Sequence, residues 1–240
     1  MHSLFISDLH LHESRPQITR AFFQFLHTHA IHAEALYILG DFFDAWIGDD
    51  DDAELVQDVA SGLHKLSELG VAIYFMHGNR DFLLGDTYAK KAGMTLIADG
   101  SVIDLYGTPT LLMHGDSLCT DDTEYQQFRA MVRSPQWQQQ ILAQPLPARR
   151  ALAAQLREKS QSMNSLKAED ILDVSPAEVT AQMAAAKVTQ LIHGHTHRPA
   201  RHQLVVAGTS AERIVLGDWH DSGWCIKADQ NSIALIDWKI

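Results

Sequence analysis

The feature that most constrains this chain is a recurring junction, in which short apolar runs end in side chains able to ligate a metal. Residues 3–6 lead into Asp8-Leu9-His10, residues 35–39 into Gly40-Asp41-Phe42-Phe43-Asp44, and residues 71–76 into Gly78-Asn79-Arg80-Asp81. Residues 109–113 lead into His114-Gly115-Asp116, and residues 189–192 into His193-Gly194-His195-Thr196-His197. Short runs rich in Ile, Val, Leu and Tyr read as strands. Amphipathic patterns lie between them, over 16–29 with Ile18, Phe22, Phe25 and Leu26 on one face, and over 53–69 with Leu55, Val59, Leu63 and Leu66. Strands alternating with such helices predict an α/β fold whose helices cover a sheet face. Ser175-Pro176-Ala177-Glu178 pairs an N-cap serine with a first-turn proline and a capping-box glutamate, so a helix is expected to start there. Short strands at 203–206, 213–216, 224–227 and 233–236 read as a β-rich C-terminal half-sheet.

Each junction alone has an ordinary reading. Asp-x-His can be a helix cap beside a surface histidine, and Gly-Asp and Gly-Asn-Arg-Asp can be tight turns. Their common placement decides otherwise: Asp8, Asp41, Asn79, His114 and His195 all fall at or just past the C-terminal end of a predicted strand, the edge where α/β sheets bind ligands. Imidazole, carboxylate and amide oxygen suit Mn²⁺, Fe²⁺ or Zn²⁺, whereas a structural zinc site draws on clustered thiolates. A carboxylate can bridge two cations, and a pair about 3.5 to 4 Å apart can activate water near neutral pH and clamp the oxygens of a phosphoryl group. In an extended H-x-H segment alternate side chains share a face, which brings His195 and His197 together and turns His193 away.

Composition narrows the partners. The 240 residues suffice for one large domain with a substantial core. A formal net charge of -11 argues against general affinity for nucleic acid. Cys119 and Cys225 form neither a C-x-x-C motif nor a disulfide framework, which points to a reducing compartment. The apolar stretch Leu4-Phe5-Ile6 is too short for a signal peptide, and no run approaches the length of a membrane span, so the expected protein is soluble or peripheral.

The order Asp8-x-His10, Gly40-Asp41-x-x-Asp44, Gly78-Asn79-x-Asp81, His114 and Gly194-His195-x-His197 resembles the calcineurin-like metallophosphoesterases, with motifs spanning residues 8 to 197. The resemblance implies a β-sandwich flanked by helices. It also implies one metal on Asp8, His10 and His197, a second on Asn79, His114 and His195, and Asp41 bridging both. One departure is informative, because the usual motif has His after Gly-Asn, placed to protonate an alkoxide leaving group, and this chain has Arg80. Arginine is no general acid near neutral pH, but its planar fork can take charge developing on a phosphate. A phosphate leaving group, with a second pKa of about 6, needs little protonation. Arg80 therefore favours cleavage of a pyrophosphate bond over a simple alkyl phosphate ester.

A basic segment supplies a second clue. Between Arg129 and Lys167 lie Arg129, Arg133, Arg149, Arg150, Arg157, Lys159 and Lys167 against one acid, Glu158, in a strongly helical pattern punctuated by Pro135, Pro145 and Pro147. It reads as a helical cap insertion over 121–170 within a single domain of 1–240. Arg157, Ser160, Asn164 and Lys167 form one polar helix face suited to a diphosphate and a base or sugar. Tyr125, Phe128, Trp137 and Ile141, with Trp46 and Phe82, offer apolar material beside the catalytic edge, and both features suit an amphiphilic substrate.

Longer stretches, including Asp44-Ala45-Trp46-Ile47-Gly48-Asp49, Asp81-Phe82-Leu83, Arg198-Pro199 and Leu216-Gly217-Asp218-Trp219-His220, resemble the branch of that family that acts on a UDP-linked diacylated glucosamine in lipid A synthesis. That resemblance implies hydrolysis of UDP-2,3-diacylglucosamine to UMP and 2,3-diacylglucosamine 1-phosphate, two Mn²⁺, and water attacking the α-phosphorus. It implies substrate contacts from Asn79, Arg80, Asp122, Ser160, Asn164, Lys167 and His195, with Asn79, Arg80 and His195 catalytic. It further implies a cytoplasmic protein, peripheral on the inner membrane. The alternative is a metallophosphoesterase acting on a soluble nucleotide such as a dinucleoside polyphosphate.

Overall fold

Alternation along the strands builds the layers of this protein, seen in a computed structural model that describes residues 1–164 and 171–240, with side chains omitted for 159–164. β1 (Ser3–Ile6), β2 (Ala35–Leu39), β3 (Ala72–Met76) and β4 (Met94–Ile97) run parallel, and β10 (Ser222–Ala228) and β11 (Ile233–Lys239) extend that sheet antiparallel beside β1, in the order β11-β10-β1-β2-β3-β4. β5 (Ser101–Leu105), β6 (Thr108–Leu112), β7 (Gln190–His193), β8 (Ala200–Val206) and β9 (Thr209–Val215) form a second mixed sheet, ordered β5-β6-β7-β9-β8.

Leu4 and Ile6 of β1 pack toward α1 (Pro16–Thr28) and α2 (Glu54–Glu68), while Phe5 between them packs into the core shared with Leu112, Ile192 and Ile214 of the other sheet. Leu111 and Leu191 turn the opposite way, onto Val179 and Met183 of α7 (Pro176–Ala186). A residue period of two thus puts successive side chains into different cores, and the result is two sheets face to face with helices outside each. This is the α/β architecture expected from the motifs.

The expected faces of α1 and α2 are buried, with Val56 rather than Leu55 completing the stripe on α2. Three expectations need correction. The C-terminal strands do not make one half-sheet, because β8 and β9 join the second sheet and β10 and β11 the first, where each finds an uncovered edge. β4 and β5 are strands beyond those expected, since Met94-Thr95-Leu96-Ile97 and Ser101-Val102-Ile103-Asp104-Leu105 are short and interrupted by polar residues. Ser175 does stand at the N-cap of α7 with Pro176 following, but its side chain makes no capping bond and its carbonyl accepts the Val179 N–H instead.

Three helices follow β6: α4 (Thr123–Val132), α5 (Pro135–Leu142) and α6 (Leu146–Asn164). A short helix, α3 (Asp86–Lys91), precedes β4. Among the described residues no helix is long and apolar enough to cross a membrane.

Candidate active site

The candidate ligands leave the C-terminal ends of β1, β2, β3, β6 and β7, so both sheets contribute to one edge. The backbone ties these loops together. Asp8 N–H donates to Gly40 O at 3.1 Å, His10 N–H to Asp41 O at 2.9 Å, and Gly194 N–H to His114 O at 2.8 Å. Asp8, His10, Asp41, His195 and His197 all have left-handed φ, between 48° and 69°. For side chains with a Cβ that region is costly, and strain of this kind concentrates at functional sites. His195 and His197 therefore do not lie on an extended H-x-H segment, and their left-handed backbone sends them to different groups of donor atoms along the same edge.

Two groups of donor atoms result: Asp8, His10 and His197, and Asp41, His114 and His195. In the first, His197 Nε2 lies 3.4 Å from Asp8 Oδ1 and 3.3 Å from His10 Nε2. In the second, His114 Nε2 lies 3.6 Å from Asp41 Oδ1 and 2.9 Å from Asn79 Oδ1. His10 Nδ1 is 4.0 Å from Asp41 Oδ2, so Asp41 stands between the groups.

The surroundings leave the lone pairs of these residues facing one another. Asp8 Oδ2 accepts from Ser7 Oγ at 2.5 Å and His195 N at 2.9 Å, while buried Asp8 Oδ1 and His10 Nδ1 have no hydrogen-bond partner among the described residues. His114 Nδ1 donates to Leu39 O at 2.8 Å, which orients the ring with Nε2, the atom that would ligate once a cation displaces its proton, toward Asn79 and Asp41. Burial, with Asp8 and Asp81 adding to it, pushes the Asp41 carboxyl up to about 7. Burial also lowers His195 to about 4, keeping a neutral imidazole, whereas at His114 it is outweighed by Asp41, Asp116 and Asp8, which raise the ring to about 9. Crowded buried carboxylates with converging imidazoles are what divalent cations neutralise, so the donor set fits two such ions.

Close approach of the β2 and β3 loops requires glycine. A Cβ on Gly78 would sit 2.2 Å from both the N and Oδ1 of Asp41, and one on Gly40, where φ is +86°, 2.4 Å from Gly78 N. Asp81 clamps these loops: its carboxylate accepts from Gly78 N and Phe42 N at 2.8 Å each and from Phe43 N at 3.4 Å. Asp81 is thus occupied by backbone amides, not by Arg80. Arg80 N–H donates to Asp41 Oδ1 at 2.8 Å, and the buried Arg80 Nε has no partner among the described residues.

Asn79 and Arg80 also border a groove of about 220 Å³ with Trp46, Phe82, Phe128, Trp137 and Leu152 on its walls. The basic segment is less available than its charge suggests. Arg129 and Arg133 pair with Asp116, Arg149 with Asp50, Arg150 with Asp51 and Asp52, and Arg157 with Asp44. These arginines fasten α4 and α6 to acidic loops of the sheets. Asp122 caps α4, accepting from Tyr125 N at 3.1 Å. Ser160 and Asn164 fall in the last turns of α6, where side chains are not described, and Lys167 lies outside the described residues.

Two carboxylates that stand in the quoted motifs carry no role in the sequence reading. Asp218 Oδ2 lies 3.7 Å from His197 Nδ1 and backs that imidazole. Asp116, fully buried, accepts from Tyr125 Oη and Arg129 Nε at 2.7 Å each. The available signal was the four-residue spacing of Tyr125, Arg129 and Arg133, which puts an aromatic and two guanidinium groups on one helix face.

Comparison with known proteins adds three findings. A family model described as calcineurin-like phosphoesterase matches residues 1–199. Proteins named UDP-2,3-diacylglucosamine hydrolase are similar over nearly the whole chain: one from Cellvibrio japonicus is 66% identical, covering 100% of both chains, and one from Marinobacter nauticus is 55% identical, covering 96% of this chain and 95% of its own. Among solved structures, an archaeal phosphodiesterase superposes with a TM-score of 0.50 at 13% identity, covering 99% of this chain and 100% of its own, a likeness of fold.

Proposed function

This chain belongs to the calcineurin-like phosphoesterases, and from that premise we propose that it hydrolyses the pyrophosphate bond of UDP-2,3-diacylglucosamine to UMP and 2,3-diacylglucosamine 1-phosphate, a step of lipid A synthesis. Full-length similarity to proteins named for that hydrolysis carries the reading. It is a metal-dependent hydrolase whose donor groups suit two divalent cations. When bound, such ions supply Lewis acidity and activate water for attack on phosphorus.

The residues divide the work. Asp8, His10 and His197 would hold one ion and Asn79, His114 and His195 the other, with Asp41 between them, and Mn²⁺ is among the ions that this mixed oxygen and nitrogen set suits. Asn79 and His195 orient phosphoryl oxygens for attack at the α-phosphorus. Arg80, whose Nε has no partner among the described residues, stabilises charge on the departing sugar phosphate. The 121–170 insertion acts as a helical cap within a single domain of 1–240, and the groove beneath it takes apolar chains. Asp122, Ser160, Asn164 and Lys167 complete substrate binding. The diacylated substrate supports a peripheral position on the cytoplasmic face of the inner membrane, where exposed Met131 and Leu142 on α4 and α5 would meet it.

The test is hydrolysis of UDP-2,3-diacylglucosamine in ¹⁸O-water with Mn²⁺ present or chelated, with both products read by mass spectrometry. Manganese-dependent label in UMP supports attack at the α-phosphorus. Label in the sugar phosphate overturns that geometry, and turnover of dinucleoside polyphosphates instead assigns a soluble nucleotide.

A further inference from the structure

Asp116 lies outside both groups of donor atoms, yet it joins α4 to the loops that carry one of them. Its Oδ2 accepts from Tyr125 Oη and Arg129 Nε at 2.7 Å each and from Arg133 Nη2 at 3.3 Å. Each of these donors then reaches a different loop. Arg133 Nη2 also donates to Gly78 O at 2.9 Å, directly before Asn79. Arg129 Nη2 donates to Asp99 Oδ2 at 3.0 Å, and Asp99 Oδ1 accepts the His114 N–H at 3.0 Å. The Tyr125 ring lies nearly parallel to that of His195, at 27° with centroids 6.2 Å apart.

One carboxylate and one helix face therefore bear on Asn79, His114 and His195. The other group has different supports. Asp8 is held by Ser7 and His195 N, the His10 carbonyl accepts from Arg15, and His197 is backed by Asp218. Buried networks of this kind can be worth more than the sum of their pairs, and because all three donors converge on Oδ2, removing that oxygen frees them together.

We infer that Asp116 is a positioning residue for the Asn79–His114–His195 ion, and that through Tyr125, Arg129 and Arg133 it makes occupancy of that ion depend on the docking of α4. Loss of outer hydrogen-bond partners costs metal sites about 10- to 100-fold in affinity. Here the cost falls on one ion of two. The inference rests on the two-ion reading of the site but needs no particular substrate.

Metal-free full-length protein titrated with Mn²⁺ and followed by electron paramagnetic resonance reports stoichiometry, affinity and magnetic coupling between ions without any turnover. In the parent, two ions and a coupled signal are expected. In Asp116→Ala, which removes the acceptor of all three donors, one ion should keep its affinity, the other weaken by about tenfold or more, and the coupled signal give way to that of isolated Mn²⁺. Tyr125→Phe, which removes one donor and keeps the ring, should weaken the same ion by a smaller factor, and it decides the matter if Asp116→Ala does not fold. Unchanged binding in the folded variants, or equal weakening of both ions, overturns the inference alone. Fewer than two ions in the parent overturns the two-ion reading, and the inference with it.

Discussion

Replacing Asp81 with Asn should destabilise this protein far more than a one-atom change suggests. Asp81 is fully buried, and its two oxygens serve three backbone N–H groups, two of them at 2.8 Å. An amide in the same place keeps one oxygen for Gly78 but turns an NH₂ toward Phe42, so one buried N–H loses its acceptor and faces a donor. A hydrogen bond to a charged group contributes about 1.5–3 kcal/mol, and a stranded buried donor costs about 1–3 kcal/mol. These contributions overlap, and the expected loss is about 2–4 kcal/mol. In a chain of this size each kcal/mol moves the melting temperature by roughly 2–4 °C, so calorimetry should find Asp81→Asn melting roughly 5–15 °C lower. Asp104 is the control, because its Oδ1 accepts the Gly107 N–H at 2.6 Å in an exposed turn where water can substitute. Asp104→Asn should stay within about 0.5 kcal/mol of the parent. If Asp81→Asn also fell in that range in urea denaturation, the clamp would not be holding the β2 and β3 loops together.

Four further outcomes are expected. Gly78→Ala places a methyl 2.2 Å from Asp41 N, so it should cost about 1–3 kcal/mol in a thermal melt and weaken Mn²⁺ binding measured by calorimetric titration. Arg80→Ala should lower turnover by about 10²- to 10³-fold with metal content unchanged by elemental analysis, and parallel loss of metal would refute its role toward the leaving group. Burial, with Arg213 adding to it, lowers the His193 imidazole to about 3, against about 6.5 in an unfolded chain, so the stability it contributes is fully present above 6.5 and is lost as pH falls toward 3. His193→Gln should then lose less urea stability than the parent between pH 7 and pH 5. Mn²⁺ at about 100 times its dissociation constant should stabilise the fold by about 2.7 kcal/mol, and a chelator should reverse the rise in melting temperature.

Much of the site was legible because its residue types are conspicuous and follow strands. Asp8, His10, Asp41, Asn79, His114, His195 and His197 could be read as one constellation without coordinates, as could the apolar faces of α1 and α2. Local chemistry settles such features, since a hydrophobic period and a terminal ligand are written within a few residues of one another. The partners of charged groups are not local. Charge along 129–167 suggested cations awaiting a ligand, yet Arg129, Arg133, Arg149, Arg150 and Arg157 each reach a carboxylate far away in sequence. The Asp81 clamp spans 39 residues to Phe42, and the sheet assignment of β8 to β11 depends on which edges earlier strands left open. Sequence by itself determined which side chains could ligate, which faces would be buried and the chemistry they can perform. Only the tertiary structure decided which charges neutralise one another and which loops meet, because those depend on distances between segments that the chain brings together only by folding.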